Sequence, residues 1–290
     1  MKVTNRQNLP MALVNAVSVD RHNKKGEYSA TTLLKGACEQ VLTSRHFDEI
    51  EVDASDSIWA VFGSAVHSIF ENQKDETFKE ERFEVPVSNS KVTGRVDSYD
   101  LKNEILVDWK TASIWKVTYQ DFDDWKKQGL IYSWLMKQNG LTVKKCRFIA
   151  LLKDHSKSKA RIDASYPQSP VYIYEFDVTE KDLAEIETFI KEKVKQFEVA
   201  ETLVDEKLTP CTKEERWATE GKWKAKKEGR KTALKVCDTE EEAKECIKDI
   251  TGGYVEYVEG CSRKCEDYCI CKDYCPFYKS MIEKKNVEIK

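Results

Sequence analysis

GRVDSYDLKNEILVDWKTA, residues 94–112, has the pattern of a β-hairpin. An alternating strand carries Asp97, Lys102-Asn103-Glu104 is a polar turn, and a buried strand through Ile105-Leu106-Val107 ends in Asp108-Trp109-Lys110. Charges where a buried strand ends are costly unless they are paired or bind something. Two carboxylates on neighbouring strands can share a divalent cation, and a Lys two residues after the second carboxylate lies on the same strand face. Acidic ligands, a metal and a cation in one pocket suit phosphodiester hydrolysis: the metal polarises the phosphate, and the Lys orients water or balances charge. A hairpin with solvated ends gives the same short pattern, so its neighbours must decide.

Residues 1–28 read as a loosely structured arm ending in the polar turn HNKKGE, residues 22–27. Ser29 or Thr31 is placed to cap a helix through LLKGACEQVLTSRH, which carries Cys38 and a structural His46. Asp53, Ser55 and Asp56 announce a second helix with an apolar stripe at Ile58, Phe62, Val66, Ile69 and Phe70. Gly63 allows close approach there, and His67 and Glu71 share a face. A lone His on such a helix is also an ordinary core or surface residue. Two strands follow around Ser88-Asn89-Ser90. The hairpin comes next, then a helix over residues 121–137 stopped by Gly140, with Gln128 and Tyr132 at i and i+4. KKCRFIALLKDHSK and PVYIYEFDVT are strands, with Lys153 and His155 at the surface; Thr179 caps the long helix after them.

This order resembles the PD-(D/E)XK nuclease superfamily, and within it the RecB-type nucleases. D-x10-D-x-K, the QGLIY match to Q-x-x-x-Y on the following helix, and a His ahead of the hairpin carry the resemblance, over roughly residues 29–278. It implies an α/β restriction-endonuclease-like core, a mixed central sheet flanked by helices. It also implies that His67, Asp97 and Asp108, with the Trp109 carbonyl, bind Mg²⁺ or Mn²⁺, and that Lys110 activates water. Glu71 is a weaker candidate ligand. Gln128 and Tyr132 would hold the substrate strand.

Beyond residue 205 the character changes. LTPCTKEERWATEGKWKAKKEGRKTALKVCDTEEEAKECIKDI reads as a hairpin and a helix, a basic ββα insertion over 206–258 between the core at 29–205 and a cysteine-rich tail at 259–290. Lys222, Lys224 and Lys226 alternate on one strand, and Lys227, Arg230, Lys231 and Lys235 extend the basic patch, with Trp217 and Trp223 interleaved. Such a patch tracks phosphates and stacks unpaired bases, or is simply a solvated face. In the tail, Cys265, Cys269 and Cys275 are spaced C-x3-C-x5-C, with Cys261 and Cys271 as extras. Cysteines clustered in a reducing compartment point to metal. The resemblance implies a [4Fe–4S] cluster on three C-terminal cysteines and one far upstream, stapling the tail onto the core. Cys211 is the first choice for that fourth ligand and Cys38 the second; a local zinc site using Cys261 or Cys271 is the alternative. Cys146, Cys237 and Cys246 read as packing residues.

The chain has 290 residues, 40% hydrophobic and 34% charged, with a net charge of -3, so nucleic-acid attraction must come from local patches. No apolar run is long enough to span a bilayer, and the N-terminal stretch lacks a signal-peptide core, so an intracellular protein is expected. No G-x-x-x-x-G-K-[ST] loop is present, so ATP-driven work would need a partner. The expected activity is metal-dependent hydrolysis of linear DNA, by a phage-like exonuclease of recombination, repair or replication. A recombination or helicase partner and a homo-oligomer are both compatible with it. The rival reading is an idle DNA-binding module working through the Cys cluster and basic patch.

Overall fold

Alternating apolar residues dominate residues 78–112 and 145–177, and they form the central sheet. The structure, a computed structural model, describes residues 1–18, 24–73 and 77–288; the start of the polar turn expected at 22–27 lies outside them. Two units are distinguished, residues 1–209 and 210–290.

The strands of the first unit are β1 (Lys2–Thr4), β2 (Glu27–Ser29), β3 (Glu51–Asp53), β4 (Phe78–Val87), β5 (Ser90–Asp100), β6 (Ile105–Ala112), β7 (Lys145–Leu152) and β8 (Val171–Asp177). β5, β6, β7 and β8 lie side by side in one mixed sheet, with β2 and β4 both paired to β5. The β4–β5, β5–β6 and β7–β8 pairs are antiparallel, and β2–β5 and β6–β7 are parallel. A parallel pair needs a crossover. The helix Asp123–Gln138 supplies it, burying Trp125, Ile131, Leu135 and Met136 in the core cluster. Over it lies Glu180–Thr202, which buries Leu183, Ile186, Ile190, Val194 and Phe197 and starts in a capping box of Thr179 with Asp182. The helix Ile58–Glu71 packs against the alternate residues of β6: Gly63 sits beside Thr111, and Phe70 stacks on Trp109 at 4.1 Å. The result is a mixed α/β unit, its sheet flanked by helices.

Two local expectations change. The helix expected from Ser29 or Thr31 to His46 is two helices, Ala30–Leu33 and Ala37–Arg45. Gly36, a poor helix former, takes the extended conformation and becomes the cap of the second. The expected loose arm is also tied down. β1 pairs in parallel with β3, and Thr4 Oγ1 and Arg6 N donate to the Asp53 carboxylate. Those hydrogen bonds, led by Arg6 N, hold Asp53 well below the usual carboxylate range.

The second unit has β9 (Lys222–Lys227), β10 (Lys235–Cys237) and β11 (Gly253–Val258), in the order β10-β9-β11 and antiparallel throughout. The expected ββα element is therefore ββαβ. The alternation of GYVEYV provides the added strand, and the helix Glu240–Ile247 closes a small core of Ala225, Cys237 and Ala243. Short helical segments, Arg263–Asp267 and Pro276–Glu288, complete it. Among the described residues no helix is long and apolar enough to cross a membrane.

Candidate active site

Strand register sets three carboxylates in a row. Lys79↔Ser98 and Glu81↔Val96 bracket Glu80 and Asp97 across β4 and β5; one step beyond Ser98↔Val107, Asp97 faces Asp108 across β5 and β6. There β5 and β6 part, and Asp97 Oδ2 accepts the Trp109 N–H at 2.8 Å in place of a main-chain carbonyl. Asp97 Oδ1 lies 3.2 Å from His67 Nδ1. His67, Glu80 and Asp97 each offer a ligand atom, all within 4.8 Å of one another. The Asp97 interaction raises the His67 pKa, with burial opposing it.

Glu80 is the residue that sequence reasoning missed, because nothing in FKEERFEV separates it from its acidic neighbours. Its backbone is left-handed, with φ 54. For a residue with a Cβ that costs on the order of 1 kcal/mol, and it persists only where the surroundings impose it. Arg95 pairs with the Glu80 side chain and lies 3.7 Å from Glu71. Burial pushes the Glu80 carboxyl upward; Arg95 opposes this, and Asp97 and Glu71 add to it. Glu71 itself thus belongs to this rim through Arg95.

Asp108 is 3% exposed. Lys110 Nζ stands 2.6 Å from its buried Oδ2. Burial pushes the Asp108 carboxyl up to about 6; the Lys110 charge opposes this and Asp97 adds to it. An imidazole and two carboxylates within reach of one another, with a buried carboxylate on the next strand, are a donor set suited to a hard divalent cation.

Asp108 and Lys110 share a strand face, and Lys110 is held from below. Its Nζ donates to Gln128 Oε1 at 2.9 Å, and Gln128 Nε2 donates to the Tyr132 hydroxyl at 3.0 Å. Gln128 and Tyr132 are each 7% exposed. In this structure they hold the lysine through these hydrogen bonds. Gly94 makes room for the chain: a Cβ there would lie 2.6 Å from Leu135 Cδ1 and 2.8 Å from Tyr132 Cδ1. Gly94→Ala is expected to cost about 1–3 kcal/mol of stability by overpacking. A thermal melt unchanged from the parent would contradict that packing.

The remaining candidates lie in the second unit. Lys222 pairs with Asp238, and Lys226 pairs with Glu256 at 2.9 Å. Trp223 packs into the small core and meets Tyr257 at 4.9 Å between ring centres. The basic patch is thus partly neutralised and one of its aromatics is structural; Lys224 is half-buried on the same strand. Burial, followed by the neighbouring thiols of Cys269, Cys211 and Cys275, pushes Cys265 up to about 11. These neighbours are the other three first-choice thiols, and the Cys269 and Cys271 sulfurs lie 3.5 Å apart. Arg216 organises the group: it donates to the Cys211 carbonyl and the Ser262 hydroxyl at 2.9 Å each, and covers the Phe277 ring at 4.2 Å. Cys38 is buried in the first unit.

No known protein family matches the chain, and neither does any curated protein. Solved structures do. SSO0001 is similar at 16% identity and TM-score 0.45, over 64% of this chain and 84% of that one. An alkaline exonuclease from Laribacter hongkongensis is similar at 12% identity and TM-score 0.37, over 60% of this chain and 89% of that one. A phage-related exonuclease from Haemophilus somnus is similar at 12% identity and TM-score 0.34, over 60% and 95%.

Proposed function

We propose that this protein is a divalent-metal-dependent deoxyribonuclease, and specifically an exonuclease acting on linear DNA. The observation that carries the reading is the meeting of His67, Glu80 and Asp97, their ligand atoms all within 4.8 Å of one another, with the buried Asp108 on the next strand beside a lysine clamped by Gln128. His67, Glu80, Asp97 and Asp108 would hold Mg²⁺ or Mn²⁺, with the Trp109 carbonyl as a further ligand. Bound there, the cation supplies Lewis-acid polarisation of the scissile phosphate and acidifies a water. Lys110 presents its ammonium to that water and to charge developing on the phosphoryl oxygens. Gln128 and Tyr132 keep the ammonium at that point, and it lies over the Phe148 ring, 5.6 Å from the ring centre. In the second unit, Cys211, Cys265, Cys269 and Cys275 would hold a [4Fe–4S] cluster, with zinc as the alternative.

End-labelled linear DNA, digested beside a closed circle with Mn²⁺, Mg²⁺ or EDTA, tests the reading. Metal-dependent loss of the linear DNA alone supports it, and cutting of the circle makes the enzyme an endonuclease. Binding without cleavage in any lane refutes catalysis.

The shifted groups also set a pH dependence. His67 and Asp108 both hold protons to higher pH than usual, and a cation must displace them. Affinity for Mn²⁺ is expected to fall as pH drops through about 6, with proton release on binding. Calorimetric titration between roughly pH 5 and pH 8 checks this, and a flat affinity would contradict it.

A further inference from the structure

Beyond Lys110, at the carboxyl end of β6, the surface is aromatic and cationic. Trp59 is 59% exposed and Phe62 42%, and their rings meet edge to face at 6.4 Å. Lys153 Nζ sits 3.9 Å from the Trp59 ring centre. The Lys153 amide also donates to the Ala112 carbonyl at 3.0 Å, which ties that cation to the last residue of β6. Two residues further on, the short helix Ile114–Thr118 begins, pinned by Asp154, which accepts from Ser113 Oγ at 2.6 Å and Ile114 N at 2.8 Å. It carries Trp115, whose ring stacks with that of Tyr119 at 5.7 Å; these are 55% and 73% exposed.

Single exposed apolar residues are ordinary. Two ordered aromatic pairs flanking one strand end, with a lysine laid on one ring, are a patch. The first pair is fixed relative to the acids. Along the helix Ile58–Glu71, Phe70 packs on Trp109, His67 meets Asp97, Gly63 touches Thr111, and Trp59 meets Lys153. At 1.5 Å per residue, Phe62 and Trp59 stand about 7 and 12 Å along the axis from His67, one or two nucleotides from the candidate metal ligands. Further along the chain, Lys157, Lys159 and Arg161 lie on the short helix Lys157–Ile162, and among the described residues none of these three is in a salt bridge. In a chain with net charge -3, such a local concentration is where phosphates can be held.

We infer that Trp59, Phe62, Trp115, Tyr119 and Lys153 form a stacking platform for the unpaired bases of a single DNA strand entering the site. Flat exposed rings gain from unstacked bases, each worth about 1–3 kcal/mol, whereas a duplex keeps its bases stacked inside. The cations take the strand's phosphates, and Lys153 adds a cation–π contact to Trp59. The assignment of this strand as substrate rests on the nuclease reading; the platform itself is tested without cleavage.

The test is equilibrium binding of fluorescein-labelled oligothymidine of about 15 nucleotides to the full chain in EDTA, beside a blunt duplex of the same length. Trp59→Ala/Trp115→Ala is expected to weaken single-strand binding at least tenfold with little effect on the duplex, and Trp59→Phe/Trp115→Phe to restore most of it. Unchanged single-strand affinity overturns the inference. So does equal loss in the Phe and Ala pairs, or equal loss for the duplex, since packing or bulk charge would then be responsible. Cleavage by the unsubstituted protein is scored separately. Cleavage with an insensitive platform sinks this inference alone, and a sensitive platform without cleavage sinks the nuclease reading alone.

Discussion

Asp108→Asn is expected to abolish cleavage while making the metal-free protein more stable. The loss follows from removing a ligand carboxylate: metal assistance is worth several kcal/mol, so the rate should fall by about a thousandfold or more. The gain follows from linkage. The folded-state pKa of Asp108 lies above the ordinary carboxylate value because burial disfavours its charge, with Lys110 only partly opposing. A carboxyl whose pKa rises on folding destabilises the fold above its unfolded pKa, where the unfolded chain is already ionised. Asn keeps the shape without the charge. In EDTA near neutral pH the variant should melt a few degrees higher than the parent, and at a pH below both pKa values the difference should vanish. Saturating Mn²⁺ should reverse the order, because only the parent binds the ion tightly. A variant that cleaves normally, or that melts lower than the parent in EDTA, contradicts the role given to this residue.

Cys265→Ser carries the second large effect. Cys265 is buried and feels the thiols of Cys269, Cys211 and Cys275. Burial and those thiols lower its tendency to ionise; a bound cation or cluster would reverse this and couple its binding to folding. Anaerobically purified parent is expected to contain iron and acid-labile sulfide and to absorb in the visible. The Ser variant should lose both, and residues 210–290 should become the most protease-sensitive part of the chain. Zinc without sulfide in the parent would replace the cluster with a mononuclear site. No metal in either protein would remove the cofactor from this unit.

The hairpin, the order of core elements and the capped helix at Thr179 were legible because each rests on a local rule: period two, turn residues, a capping box. The acids were legible for the same reason, since charge at the end of an apolar strand stands out. Glu80 was not, because its placement depends on the register of β4 against β5 and on a left-handed φ at one residue. Neither is encoded within a few residues of it. Gln128 and Tyr132 were found by spacing, but spacing says nothing about depth; the helix Asp123–Gln138 is buried along most of its length, so its polar residues face Lys110. Gly36 ended a helix that apolar spacing alone would have continued. The basic strand Lys222–Lys227 shows the opposite limit. Its lysines alternate as read, but their partners Asp238 and Glu256 come from β10's end and from β11, so the net field of that face was not visible in the run itself.

The most direct test of the central claim is anomalous diffraction from a crystal of this protein soaked in Mn²⁺, with data collected at the manganese edge. A peak bounded by His67, Glu80, Asp97 and Asp108 is expected, and none in an Asp108→Asn crystal. Manganese bound elsewhere, with these four side chains still paired as they are here, would contradict that claim.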